Sequence, residues 1–157
     1  MRTLPALALL LPLSAAACGG DTPQPAPQAN EAAPAAEATA ATAASPTVTI
    51  LEPAEGAEIA GTSVTVRLTA EGVQIVPAGQ LVPGTGHHHL YLDADLTQPG
   101  APVPSVPGQI IHLGTGVSEY TFENVAPGAH RLIAVVADGL HVPLQPWVVD
   151  TVTFTVR

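Results

Sequence analysis

The sequence predicts an all-β domain in residues 47–157, an immunoglobulin-like antiparallel β-sandwich of about seven strands. Short runs rich in Val, Ile and Thr are separated by turns rich in Gly and Pro, which is typical of such domains. No long segment carries the 3.6-residue apolar period of a helix. The length suits a single domain, and the absence of cysteine from it excludes stabilisation by a disulfide.

The strand predictions follow the chain in order. They cover residues 47–51, 62–70, 87–93, 109–113, 117–122, 130–138 and 148–156. The last strand is the clearest, because Val152, Phe154 and Val156 alternate with threonines and should face inward. The fourth and fifth are predicted to form a hairpin around Gly114-Thr115-Gly116.

Residues 1–17 have the pattern of a lipoprotein-type signal peptide. Arg2 precedes an apolar run over residues 4–13, and small residues lead to Cys18. The run is too short to span a bilayer. We expect lipidation of Cys18, which makes the membrane a partner; ordinary cleavage after Ala17 is the alternative. Gly19 in place of Asp favours the outer membrane, facing the periplasm, in a Gram-negative cell.

Residues 18–46 are predicted to be a disordered tether rich in Ala and Pro. From Asp21 to Pro46 there is no aromatic or large aliphatic residue, so the segment cannot bury enough apolar area to offset the entropy of ordering it. We therefore expect an extracytoplasmic domain that a flexible segment holds near a membrane.

The charge of the chain limits its partners. The formal net charge is −9, there is no lysine, and the sequence contains four arginines. Nucleic acid is excluded as a partner, because neutralising phosphates requires clustered basic residues. An acidic surface instead raises the local concentration of cations weakly.

Three of the six histidines form the run His87-His88-His89 at the start of a predicted strand. Side chains alternate along a strand, so His87 and His89 should share one face, about 6–7 Å apart along the chain. That spacing allows two imidazoles to bind one metal ion. His88 points to the other face, where packing with Leu90 and Leu92 is the expected role.

Further ligands follow from an assumed strand order. If the His87 strand pairs antiparallel with the His130 strand, and that strand with the last one, several polar residues share one pole, with His130 at the other end. The predicted metal ligands are His87, His89, His112 and His141, with Asp138 or Asp150 as carboxylates that orient a ring.

Zn(II) and Cu(II) are the expected ions, because neutral imidazole suits both. Cu(I) is disfavoured: the single methionine is Met1, and the single cysteine is Cys18.

Each histidine also has a structural interpretation. His141 could hydrogen-bond the backbone of its own loop, and His112 could be a satisfied, partly buried side chain. His130 follows Pro127-Gly128 and is expected to brace a corner of the sandwich. Asp93 and Asp95 are expected to form a turn, and Trp147 to plug the last loop or mark a partner surface.

Four motifs in order resemble a bacterial family known as domain of unknown function 4399, which is often found behind lipoprotein signals. They are Gly86-His87-His88-His89-Leu90-Tyr91-Leu92-Asp93, Ile111-His112-Leu113-Gly114, Pro127-Gly128-Ala129-His130-Arg131-Leu132 and Asp138-Gly139-Leu140-His141-Val142-Pro143. The resemblance implies a fold and a location but no established activity. In that family His87 and His89 correspond to the more characteristic histidines.

Three functions compete. The first is a membrane-tethered extracytoplasmic binding module with a His-rich transition-metal site. The second is a non-metal interaction module that contacts an envelope protein or polymer and uses its histidines structurally. The third and most remote is a copper/zinc enzyme of superoxide dismutase type, suggested by the His-x-His strand, although the paired cysteines and the late arginine of those enzymes are missing. We predict no catalytic residue and no other cofactor, since no nucleophile or phosphate-binding motif is present.

Overall fold

The computed structural model describes residues 45–157. The predicted signal peptide 1–17, the lipidation site Cys18 and nearly all of the tether 18–46 lie outside the described residues. Within residues 45–157, no helix has the length and apolar character needed to cross a membrane.

The described chain is built from strands and the turns between them. The strands are β1 (Thr47–Glu52), β2 (Ala57–Ile59), β3 (Val64–Glu71), β4 (Gln74–Ile75), β5 (Thr85–Leu92), β6 (Ile110–Leu113), β7 (Glu119–Phe122), β8 (Gly128–Ala137) and β9 (Val149–Val156). The predicted all-β fold class is confirmed.

Two sheets enclose the main core. One has the order β1-β3-β7, and the other the order β2-β9-β8-β5-β4, with β6 also paired to β5. Val66 and Phe122 of the smaller sheet belong to the same apolar cluster as Leu90 and Leu132 of the larger sheet. The alternation predicted for β9 is correct, because Val152, Phe154 and Val156 are all buried in this cluster.

The predicted hairpin around Gly114-Thr115-Gly116 is wrong. β6 pairs antiparallel with β5 in the larger sheet, whereas β7 pairs antiparallel with β3 in the smaller sheet. The turn therefore carries the chain from one sheet to the other. Leu113 before the turn and Phe122 after it enter the shared core from opposite sides, so burial of both favours the crossing over a hairpin.

Two short strands were not predicted. β2 runs parallel to β9, and β4 runs parallel to β5, so the larger sheet is mixed at its margins. With three and two residues respectively, neither strand is long enough to show an alternating pattern.

β5 is buried on both faces. Leu90 and Leu92 face the main core, while Tyr91 belongs to a second apolar cluster on the outer face of the larger sheet. Val103 from the segment between β5 and β6, and Trp147 from the segment between β8 and β9, pack in this second cluster. These two segments therefore cover the outer face, and the packing of Trp147 matches its interpretation as a plug.

Candidate metal centre

The strand register brings three histidines together on the outer face of the larger sheet. His89 on β5 is the cross-strand partner of His112 on β6, so these two side chains leave the sheet side by side. His87 lies two residues before His89 and therefore on the same face. His87 pairs with Ala137, the last residue of β8. The three histidines therefore lie where the β8–β9 connection begins.

The turn after β8 brings in a fourth histidine. The Asp138 carbonyl accepts a hydrogen bond from His141 N, and Oδ1 of Asp138 accepts hydrogen bonds from the backbone nitrogens of Leu140 and Val142. His141 itself adopts a left-handed conformation with φ of 69°. This conformation is uncommon for residues other than glycine, and here Asp138 holds the turn that requires it.

The four rings form one compact group. The Nε2 atoms of His87 and His89 are 2.9 Å apart. The ring centroids of His112 and His141 are 4.4 Å apart, and each lies 4.8–5.0 Å from the ring of His87. One ligand atom from each of His87, His89 and His112 falls within 4.8 Å of the others.

The environment keeps the rings of His87, His89 and His112 uncharged. Burial lowers the pKa of His87 to about 4, assisted by repulsion from His112 and His141 and opposed by Asp138. Burial, with repulsion from His87 next, lowers the pKa of His89 to about 3. The pKa of His112 is lowered by burial and by His141. At neutral pH these rings therefore keep the free lone pair that a metal requires.

Hydrogen bonding does not account for the burial of His89. Its Nε2 faces His87, and among the described residues its Nδ1 has no hydrogen-bond partner although it is buried. A buried polar atom without a partner is costly, and His88 on the other face of β5 also has an unpaired Nδ1, so this cost is common to both faces of the strand.

The spacing of the nitrogens is close to what one metal ion needs. Two imidazole nitrogens bound to one tetrahedral ion, each at about 2.0–2.1 Å, lie roughly 3.3–3.4 Å apart. The observed 2.9 Å between the Nε2 atoms of His87 and His89 differs from that by only a few tenths of an ångström.

The predicted carboxylates contact backbone rather than rings. Asp138 bonds the turn that carries His141, so it acts on that ring through the backbone. Asp150 accepts hydrogen bonds from Ile50 N and Thr151 N, both at 2.8 Å, and so connects β9 to β1. These bonds give no support to the ring-orienting role predicted for Asp150.

The remaining histidines lie apart from the group. His88 is fully buried on the inner face of β5, where Ser118 Oγ lies 3.5 Å from its Nε2. His130 lies near the start of β8, at the other end of the sheet from Ala137. Its Nδ1 is 2.6 Å from Asp93 Oδ2, and its Nε2 is 2.7 Å from the Ala126 carbonyl oxygen. These contacts match the bracing role expected of His130.

Two glycines beside the histidines were not predicted to matter. A Cβ on Gly114 would overlap the ring of His112, and one on Gly139 would overlap the backbone of Gln80. Gly114 lies two residues after His112, just beyond the end of β6, and this short His-x-Gly spacing is the sequence signal for the first contact. The contact of Gly139 with Gln80 joins segments far apart in sequence, so no local pattern predicts it.

The fold and the site define a β-sandwich domain with a histidine cluster on one sheet face. The model of the family described as Domain of unknown function (DUF4399) matches residues 66–157, and the chain belongs to this family.

A comparison with curated proteins gave no match. Among solved structures, the chain is similar to a crystal structure of an engineered protein, with 17% identity and a TM-score of 0.40. That alignment covers 73% of this chain and 21% of the other, so the chain spans about a fifth of that protein's length. We draw no conclusion from a likeness at this level.

Proposed function

We propose that this domain binds one Cu(II) or Zn(II) ion through His87, His89, His112 and His141. The observation that carries the proposal is the convergence of four imidazole rings from β5, β6 and the β8–β9 connection. Histidines that only support loops bond backbone groups, as His130 does with Ala126. In the cluster, Nε2 of His89 instead faces Nε2 of His87.

The donor set and its charge support these two ions. Four neutral nitrogen donors suit Cu(II) and Zn(II), and the described residues contain no thiolate or thioether to favour Cu(I). An acidic chain also favours the approach of a cation.

The arrangement fits a binding module that can release its ion. His87 and His89 are buried, whereas His112 is exposed and His141 half-buried. Two ligands are therefore shielded from solvent, and two lie where water or a partner can reach them. We propose storage, delivery or sensing of the metal by an extracytoplasmic domain tethered to a membrane through Cys18.

Metal content of the full chain tests this proposal. After exposure to Cu(II) or Zn(II) and removal of excess ion, mass spectrometry should find close to one equivalent in the wild type. The His87→Ala/His89→Ala variant should retain almost none. Saturating metal should also raise the unfolding temperature of the wild type alone, because a ligand of the native state stabilises it by about 2.7 kcal/mol at a hundredfold excess over Kd.

His88→Leu is the matched control. His88 lies between the two proposed ligands in sequence but faces the core, so this variant should bind as much metal as the wild type. Wild-type protein that takes up no metal, with its histidines intact, would refute the metal site.

A second candidate, a non-metal interaction module, is favoured by apolar side chains near the same site. Leu81, Val82 and Leu140 are at least half exposed. Leu81 and Val82 border a groove of ≈ 310 Å³ that Asp138 and Leu144 also line. Under this candidate the histidines only brace the loops, and the metal experiment above gives the negative result.

A further inference from the structure

We propose that Gly114 is a positioning residue for the metal centre, and that it acts by leaving space for the ring of His112. The inference rests on the proposed function, because it assigns the placement of one of the proposed ligands. It concerns a residue that contacts no metal itself.

The ring of His112 lies against Gly114, the first residue after β6. A Cβ built on Gly114 would overlap Cε1 and Nε2 of His112 and lie 3.0 Å from its Nδ1. A side chain at position 114 would therefore occupy the volume that the ring now fills.

The requirement is for space rather than for backbone freedom. Gly114 is absent from the glycines of the described chain that adopt a positive φ, whereas Gly116 in the same turn has a φ of 78°. An alanine at position 114 therefore meets no conformational barrier of the kind that it would meet at position 116. Its effect should come from contact with His112 alone.

Hydrogen bonds hold the backbone around Gly114 in place, so the ring of His112 is the group that must move. The Gly114 carbonyl accepts a hydrogen bond from Ala78 N at 2.9 Å, and the Leu113 carbonyl accepts one from Gly116 N at 3.2 Å. Leu113 is also paired with His88 in the sheet. The His112 side chain is exposed and can rotate outward at little cost to folding. Rotation would move it away from His141 and remove a ligand.

The test is Gly114→Ala in the full chain, with Thr115→Ala as the matched control. Thr115 is exposed in the same turn, so its truncation should leave metal binding unchanged. We expect Gly114→Ala to weaken Zn(II) or Cu(II) binding by about 10- to 100-fold, the usual range for residues that orient a ligand. The unfolding temperature of the metal-free protein should stay near that of the wild type.

A double-mutant cycle with His112→Ala identifies the route of the effect. If Gly114 acts through the ring, then Gly114→Ala should cause no further loss of affinity once His112 is alanine. Additive losses would overturn the inference. In the metal-free protein, the ¹H–¹⁵N imidazole signals of His112 should shift in Gly114→Ala, and unshifted signals would also overturn it.

The outcomes for the wild type separate the two proposals. A wild type that binds no metal overturns the proposed function, and this inference with it. A wild type that binds metal, with Gly114→Ala binding equally tightly, overturns the inference alone.

Should Gly114→Ala fail to fold, the folding of the His112→Ala/Gly114→Ala double variant tests the inference. If the double variant folds, the defect of Gly114→Ala comes from overlap of the new methyl group with the His112 ring. If the double variant also fails to fold, the inference is contradicted.

Discussion

Adjacent residues of β5 have opposite environments. His87 and His89 face the outer side of the sheet and meet other histidines, whereas His88 faces the main core with Leu90. Burial lowers the pKa of His88 to about 4, so it too is uncharged at neutral pH. Residue type therefore does not distinguish the three histidines, and their roles depend on the face of the strand that each occupies.

His130 differs from the cluster in the direction of its pKa shift. Burial alone would lower the pKa, but the hydrogen bonds to the Asp93 carboxylate and the Ala126 carbonyl, together with the charge of Asp93, raise it. Both ring nitrogens face acceptors, so the protonated ring can donate to each. The charged form of His130 therefore stabilises this corner.

The pH dependence of stability should show this contribution. Because the pKa is raised on folding, the stabilisation is complete below the unfolded value of about 6.5 and is lost as pH rises through the folded value. We expect the stability advantage of the metal-free wild type over His130→Gln, measured by urea denaturation, to shrink as pH rises over this range. The opposite pH dependence that the lowered pKa values of His87, His88, His89 and His112 cause is common to both proteins and cancels in this difference. A stability difference between the two proteins that stays constant over this range would contradict the role assigned to the ring.

At the level of elements, a side chain of the last strand connects the two sheets. Asp150 on β9 accepts a hydrogen bond from Ile50 N on β1, which belongs to the other sheet. The pairing of β1 with β3 is irregular between Ile50 and Glu52, so the carboxylate satisfies a backbone nitrogen beside a break in the ladder.

Asp150→Ala should therefore reduce stability without affecting metal binding. Loss of the acceptor leaves the amide of Ile50, a buried residue, unpaired, which costs about 1–3 kcal/mol in the free energy of unfolding. Urea denaturation of the metal-free protein measures this loss, and Asp150→Asn, which keeps an acceptor oxygen, should recover part of it. Weaker metal binding with unchanged stability would instead favour the orienting role that the sequence predicted.

At the level of the whole molecule, the cluster depends on segments far apart in the chain. β5 and β6 are separated by the segment that covers Tyr91, and His141 follows the next strand of the same sheet, β8. The backbone bond from Val103 N to the His141 carbonyl joins the two covering segments at 2.8 Å. The site is thus a product of the whole larger sheet and its outer cover.

Membrane attachment is a further prediction at this scale. If Cys18 is lipidated, the wild-type chain expressed in a bacterial host should fractionate with membranes, and Cys18→Ser should move to the soluble fraction. Thr22→Ala, close by in the same segment, is the control and should stay with the membranes. Equal membrane association of the wild type and Cys18→Ser would contradict an anchor at this residue.

The sequence by itself determined the all-β class, the inward face of β9 and the shared face of His87 and His89, because each depends on a two-residue period within one segment. The tertiary structure decided that β6 and β7 belong to different sheets, since apolar burial on both sides of the core overrides a local turn signal. It also decided the contacts of His112, His141 and Asp150. These contacts depend on strand register and on long-range hydrogen bonds, which no local pattern in the sequence encodes.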